Sequence, residues 1–126
     1  MKKTLLVILI LALALLLVAA CGGGGDSGGG GNDADVAAGQ KLFAQAVLGN
    51  QAGCSTCHSL DGSTIVGPSL QGIGSELSAD EIRTSILDPD AVVTEGFPAG
   101  TMPNVWGDEL TDEQVNQLVA YLSSLK

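Results

Sequence analysis

Apolar and polar positions divide the chain into three stretches of different character. Residues 5–20 are sixteen apolar residues without a charge, preceded by Met1, Lys2, Lys3 and Thr4. Residues 22–32 hold eight glycines with Asp26, Ser27 and Asn32, and no apolar side chain to bury. From residue 33 onward apolar side chains recur at helical spacing, and three helices are predicted. Asp35 is placed to cap the first, which runs through about Leu48 with Val36, Leu42, Phe43, Ala46 and Val47 as its apolar stripe. Ser78 and Glu81 have the spacing of a capping box, Leu77 and Ile82 flank it as a hydrophobic staple, and Asp88-Pro89 stops the helix. Thr111 and Gln114 repeat that grammar, with Leu110 and Val115 as staple and Val115, Leu118, Val119, Leu122 and Leu125 at helical spacing. No run alternates as a strand of useful length. The expected fold class is all-α, with long connections punctuated by glycine.

A basic start, an apolar run and small residues at its end are the layout of an export signal, and the run is shorter than the roughly 20 residues of a spanning helix. Residues 1–20 are therefore read as a signal peptide, with a retained anchor helix as the alternative. Val18, Ala19, Ala20 and Cys21 resemble the lipobox of bacterial lipoproteins. That resemblance implies cleavage before Cys21 and acyl chains on its thiol and freed amine, where two chains anchor stably and one only marginally. Residues 21–32 then form a lipid-bearing cysteine and a flexible linker that spans roughly 20 Å as a coil and about 35–40 Å when taut. The expected location is the outer face of the bacterial cytoplasmic membrane. Loss of Lys2 and Lys3 leaves Lys41, Arg83 and Lys126 against fourteen acidic residues. Nucleic acid is not expected as a partner, because binding phosphate needs a basic footprint. A docking partner should present a basic or an apolar face.

The remaining 94 residues carry one Trp, one Tyr and two Phe, few large side chains for a core of this size. Such a chain needs a staple or a bound group to hold it together. Two of its three cysteines and its one histidine fall within five residues, Cys54, Cys57 and His58. A redox dithiol belongs at the head of a helix in a βαβ pattern, and no strand is predicted to build one. A zinc site needs four donors, and no fourth Cys or His remains in the domain. Covalent haem attachment uses every member of the cluster: each thiol adds to one vinyl group, and the histidine after the second thiol lies under the iron. A structural disulfide is the remaining alternative.

Residues 33–126 resemble a class I c-type cytochrome. Besides the CxxCH motif, the likeness is carried by Gly39 and Phe43 in the first helix against Leu118 and Tyr121 in the last, by GPSL at residues 67–70, and by GTMPN at residues 100–104. The resemblance implies a small cytochrome c fold of three or more helices around one covalent haem c. It implies Cys54 and Cys57 as attachment points, His58 and Met102 as axial ligands, and Pro68 as the residue whose carbonyl holds the imidazole, a bond that fixes the tautomer and raises basicity. Trp106 is read either as a donor to a haem propionate or as ordinary packing. Export is consistent with the likeness, since c-type haem is attached outside the cytoplasmic membrane in the bacterial families it resembles.

Two protein ligands on the iron leave no coordination position for a substrate, so the implied function is one-electron transfer rather than catalysis. Residues 82–103 look most like the cytochrome c domains fused to subunit II of bacterial haem-copper oxidases, without the copper domain that precedes them there. That likeness implies a monomer serving membrane redox complexes, a terminal oxidase and a quinol-oxidising complex. Two other functions stay open: a gas sensor in which Met102 dissociates, and a peroxidase-like enzyme, for which the chain has no second histidine.

Overall fold

The computed structural model describes residues 32–126. The expectations for the export signal, for Cys21 and for all but the last residue of the linker lie outside the described residues. Those described form six helices and one two-stranded antiparallel hairpin, in the order α1 (Asp33–Phe43), β1 (Val47–Leu48), β2 (Gln51–Ala52), α2 (Cys54–Cys57), α3 (Ile73–Glu76), α4 (Ala79–Leu87), α5 (Trp106–Glu109) and α6 (Asp112–Ser124). The all-α class holds. No helix among the described residues is long and apolar enough to cross a membrane.

The two capping boxes are present as the sequence predicts. Ser78 and Glu81 exchange side-chain and backbone bonds at the head of α4, and Thr111 and Gln114 do so at the head of α6. Asp88 ends α4 before Pro89, which disfavours a further helical residue. The first helix differs from expectation at both ends. Asn32, assigned above to the linker, is its cap, and the side chain accepts from the backbone N of Asp35. The helix stops at Phe43 because the chain doubles back: Gly53 N donates to Ala46 O at 2.9 Å, and Gly49 takes φ +61° in the turn between Val47–Leu48 and Gln51–Ala52. Leu48 is buried from β1, whereas Ala46 and Val47 are exposed rather than part of a helical stripe.

The core lies where α1, α4 and α6 meet, built from Leu42, Phe43, Ile82, Ile86, Val115, Leu118 and Tyr121, with Trp106 of α5 and Leu110 just after that helix closing it. The helices α1 and α6 cross in close contact at Gly39. A Cβ there would stand 1.9 Å from the backbone O of Gln117 and 2.7 Å from Tyr121 Cβ, so only glycine admits the crossing. One turn on, the rings of Phe43 and Tyr121 pack at 5.8 Å between centroids, tilted by 56°. This tilted geometry is favourable for aromatic pairs. A second close approach ties the C-terminus to α3: Gly74 N donates to Leu125 O at 2.9 Å, and Lys126 Nζ donates to Gly74 O.

Candidate functional site

The cluster of Cys54, Cys57 and His58 begins at the end of the hairpin. Gly53 caps α2, and its Cα is pressed against the preceding chain so closely that a Cβ would lie 1.8 Å from Gln45 O. One helical turn then sets Cys54 and Cys57, three positions apart, on the same side. The backbone turns extended at His58, whose N donates to Cys54 O at 2.9 Å. Both thiols are free and half-buried. Burial pushes the Cys54 thiol up from its ordinary value, further raised by the neighbouring Cys57, against a lowering backbone hydrogen bond. A reactive dithiol has the reverse shift.

The His58 ring is fixed by the loop that follows. Its Nδ1 lies 2.8 Å from Pro68 O. A carbonyl only accepts, so Nδ1 carries the proton and Nε2 keeps its lone pair. Gly67 backs the ring: a Cβ there would meet His58 Cε1 at 2.6 Å and Nδ1 at 2.9 Å. Gly67 N in turn donates to Cys57 O at 2.9 Å. Residues 59–70 are closed on themselves. Leu70 N donates to Ser59 O, the buried Ser59 hydroxyl donates to Ser63 O, and Asp61 Oδ1 accepts from both N and Oγ of Ser63. Those Ser63 bonds hold the Asp61 carboxyl below its ordinary range.

Met102 is half-buried and packs against the core that also touches Cys54 and Leu70. It follows a turn in which Gly100 has φ +74° and donates from N to Asp90 Oδ1 at 2.8 Å. Trp106 is 4% exposed, so the packing reading holds for its ring. Its Nε1–H is buried with no partner among the described residues. An unmatched buried donor costs about 1–3 kcal/mol, so an acceptor from outside the chain fits there.

Sequence reasoning singled out Cys54, Cys57, His58, Pro68 and Met102, of which the structure brings Cys54, Cys57, His58 and Pro68 together. It missed the steric part of Gly67, the closure of the loop through Ser59 and Asp61, and the Asp90 bond. It also missed Glu109, which accepts from Asn50 across 59 residues of chain. The Gly49-Asn50 pair was a two-residue hairpin signal in the sequence, but nothing local announces which carboxylate the turn meets.

A mainly helical domain that presents two thiols on one side of a single turn, followed by an imidazole with its tautomer fixed, defines a c-type haem protein. The chain matches the protein-family model Cytochrome c over residues 36–126 and belongs to that family. Comparison with curated proteins gave no match. The family implies one covalently bound haem c and the role of a haem-based electron carrier. The residues present fit the group: a pair of free thiols, a lone pair on Nε2 and a buried N–H without an acceptor match its vinyl groups, its iron and its propionates.

Proposed function

We propose that the protein is a membrane-tethered one-electron carrier with His58 and Met102 as axial ligands, passing electrons between a quinol-oxidising complex and a terminal oxidase. Bound haem supplies the ferric/ferrous couple, and the chain supplies its attachment, its ligands and its surroundings. Cys54 and Cys57 hold the group by thioether bonds. Pro68 O keeps the proton on Nδ1, so the imidazole offers Nε2 to the metal without rearrangement. That 2.8 Å bond is the observation that carries the reading. Met102 is the sixth ligand, the one methionine in the domain, set between Gly100 and Pro103 at the core surface. A thioether favours ferrous iron and raises the potential relative to harder ligand sets.

The optical spectrum of the ferric protein tests the ligation. Sulfur-bound iron gives a far-red band, expected in the wild type and absent from Met102→Ala; a band that survives the substitution refutes the assignment. The tether is read from residues 18–21 and places the domain at the outer face of the cytoplasmic membrane. Cys21→Ser is expected to release the protein or leave it unprocessed, and acyl chains on that variant would show the anchor to be elsewhere.

A further inference from the structure

Residues 88–105 join α4 to α5 without helix or strand, and most of their side chains are exposed. Several of their hydrogen bonds are local: Ala91 N to Asp88 O, Phe97 N to Thr94 O and Thr101 Oγ1 to Pro98 O each span three residues. Such bonds shape turns but do not decide where the segment lies. Two carboxylates make longer connections. Asp90 Oδ1 accepts from Gly100 N at 2.8 Å and so closes the loop two residues before Met102. Glu109 ends α5, and its Oε2 accepts from Asn50 N at 2.9 Å while Asn50 Nδ2 reaches both of its oxygens at 3.2 and 3.3 Å. Gly49 leaves space for this carboxylate, since a Cβ there would lie 2.3 Å from Oε2. The hairpin turn that receives Glu109 leads directly into Gly53 and Cys54.

We infer that Asp90 and Glu109 are positioning residues for Met102: Asp90 closes the methionine-bearing loop on itself just before Met102, and Glu109 fastens α5, which follows that loop, to the hairpin leading to the thiols and His58. The inference rests on Met102 being the sixth ligand. An axial methionine competes with any added ligand for the metal, and the competitor's apparent affinity rises with the fraction of time the methionine segment is open. A segment held by two preset bonds opens less often than one held by turns alone.

Imidazole is the probe, titrated into the ferric haem-bound protein and read optically. Asp90→Ala and Glu109→Ala are each expected to tighten imidazole binding about three- to tenfold, the range for one lost hydrogen bond. Asp90→Asn and Glu109→Gln keep an acceptor oxygen and should stay within about twofold of wild type by the same reasoning. Asn50→Ala, which removes the side-chain half of the Glu109 contact, should shift in the same direction and keeps the test available if an alanine variant of a carboxylate does not fold. In a Met102→Ala background the carboxylate substitutions should have no effect on imidazole affinity. Unchanged affinity in the alanine variants, with the far-red band present in wild type, overturns the inference. An equal effect with and without Met102 also overturns it, because the carboxylates would then act on something else. A wild type lacking the far-red band removes the ligation reading itself, and the positioning role with it, and is told apart by that spectrum before any variant is made.

Discussion

At the scale of single residues, the site depends on what is missing beside His58 as much as on what is present. Gly67 is there for room, since its Cα stands against the imidazole and a methyl group would press on Cε1 from 2.6 Å. Gly67→Ala is therefore expected to tilt or displace the ring and weaken the Pro68 bond. The measurable outcome is a shifted reduction potential and an altered ferric spectrum in a protein that still carries covalent haem, since both thiols are untouched. An unaltered spectrum would show that the loop yields instead of the ring. Trp106→Phe separates a packing role from a donor role. The substitution keeps most of the buried ring and removes only the N–H that has no partner among the described residues. With a propionate as acceptor, the haem-bound protein should lose about 1.5–3 kcal/mol in denaturant unfolding, the worth of a hydrogen bond to a charged group. Stability equal to or above wild type would assign Trp106 to packing alone.

At the scale of elements, the crossing of α1 and α6 sets the frame in which the loops carry the site. Alanine is the better helix former than glycine by about 1 kcal/mol, yet at position 39 the clash with the Gln117 backbone decides the sign. Backbone cannot rotate away as a side chain can, and overpacking of this kind costs about 1–3 kcal/mol or more. Gly39→Ala should be destabilised on balance, as a lower denaturant midpoint; a higher midpoint would mean that the helices separate freely. The head of α4 carries a pH signature. Hydrogen bonds from the Ser78 side chain, then from its backbone, lower the Glu81 carboxyl below its ordinary 4.5. A depressed folded-state value means that the stabilisation is complete above the ordinary value and is lost as pH falls through the lowered one. The advantage of wild type over Glu81→Gln should thus shrink between about pH 6 and about pH 3, as read from unfolding midpoints at both.

At the scale of the whole molecule, charge and apolar surface are unevenly placed. Six acidic residues, Asp33, Asp35, Asp80, Glu81, Asp112 and Glu113, stand in the first turns of α1, α4 and α6, where they complement the helix dipole. The loops beside the proposed ligands instead expose Ile65 (53%), Val66 (52%) and Val92 (78%). Of the acidic residues that share those loops, Asp61 and Asp90 are engaged with Ser63 and Gly100, while Asp88 and Glu95 are exposed. Docking through this surface should be mainly apolar. Between about 0.01 and 0.15 M salt the Debye length falls from about 30 to about 8 Å, and electron transfer to a haem-copper oxidase, the proposed acceptor, followed by stopped flow, is expected to slow by less than about tenfold. A steeper fall would place an acidic collar around the docking face.

The sequence alone determined whatever is local. Capping at Ser78 and Thr111 is settled within three residues, the stop at Asp88-Pro89 within two, and the attachment chemistry within the five residues from Cys54 to His58, because each depends on neighbours whose separation the backbone fixes. Gly39 against Tyr121 and Pro68 against His58 were legible through likeness to known chains, and their distances are those of contact. The end of α1 was not legible: Ala46, Val47 and Leu48 continue a helical stripe on paper, and only the return of Gly53 onto Gln45 and Ala46 shows that the chain has turned. Nor was the pairing of Glu109 with Asn50, or of Asp90 with Gly100, because a carboxylate's partner across a loop is chosen by where packing brings the backbone. Tertiary structure alone decided those contacts: the loop after α4 has to fold back before Asp90 meets Gly100, and the hairpin has to be packed beside α5 before Glu109 has anything to hold.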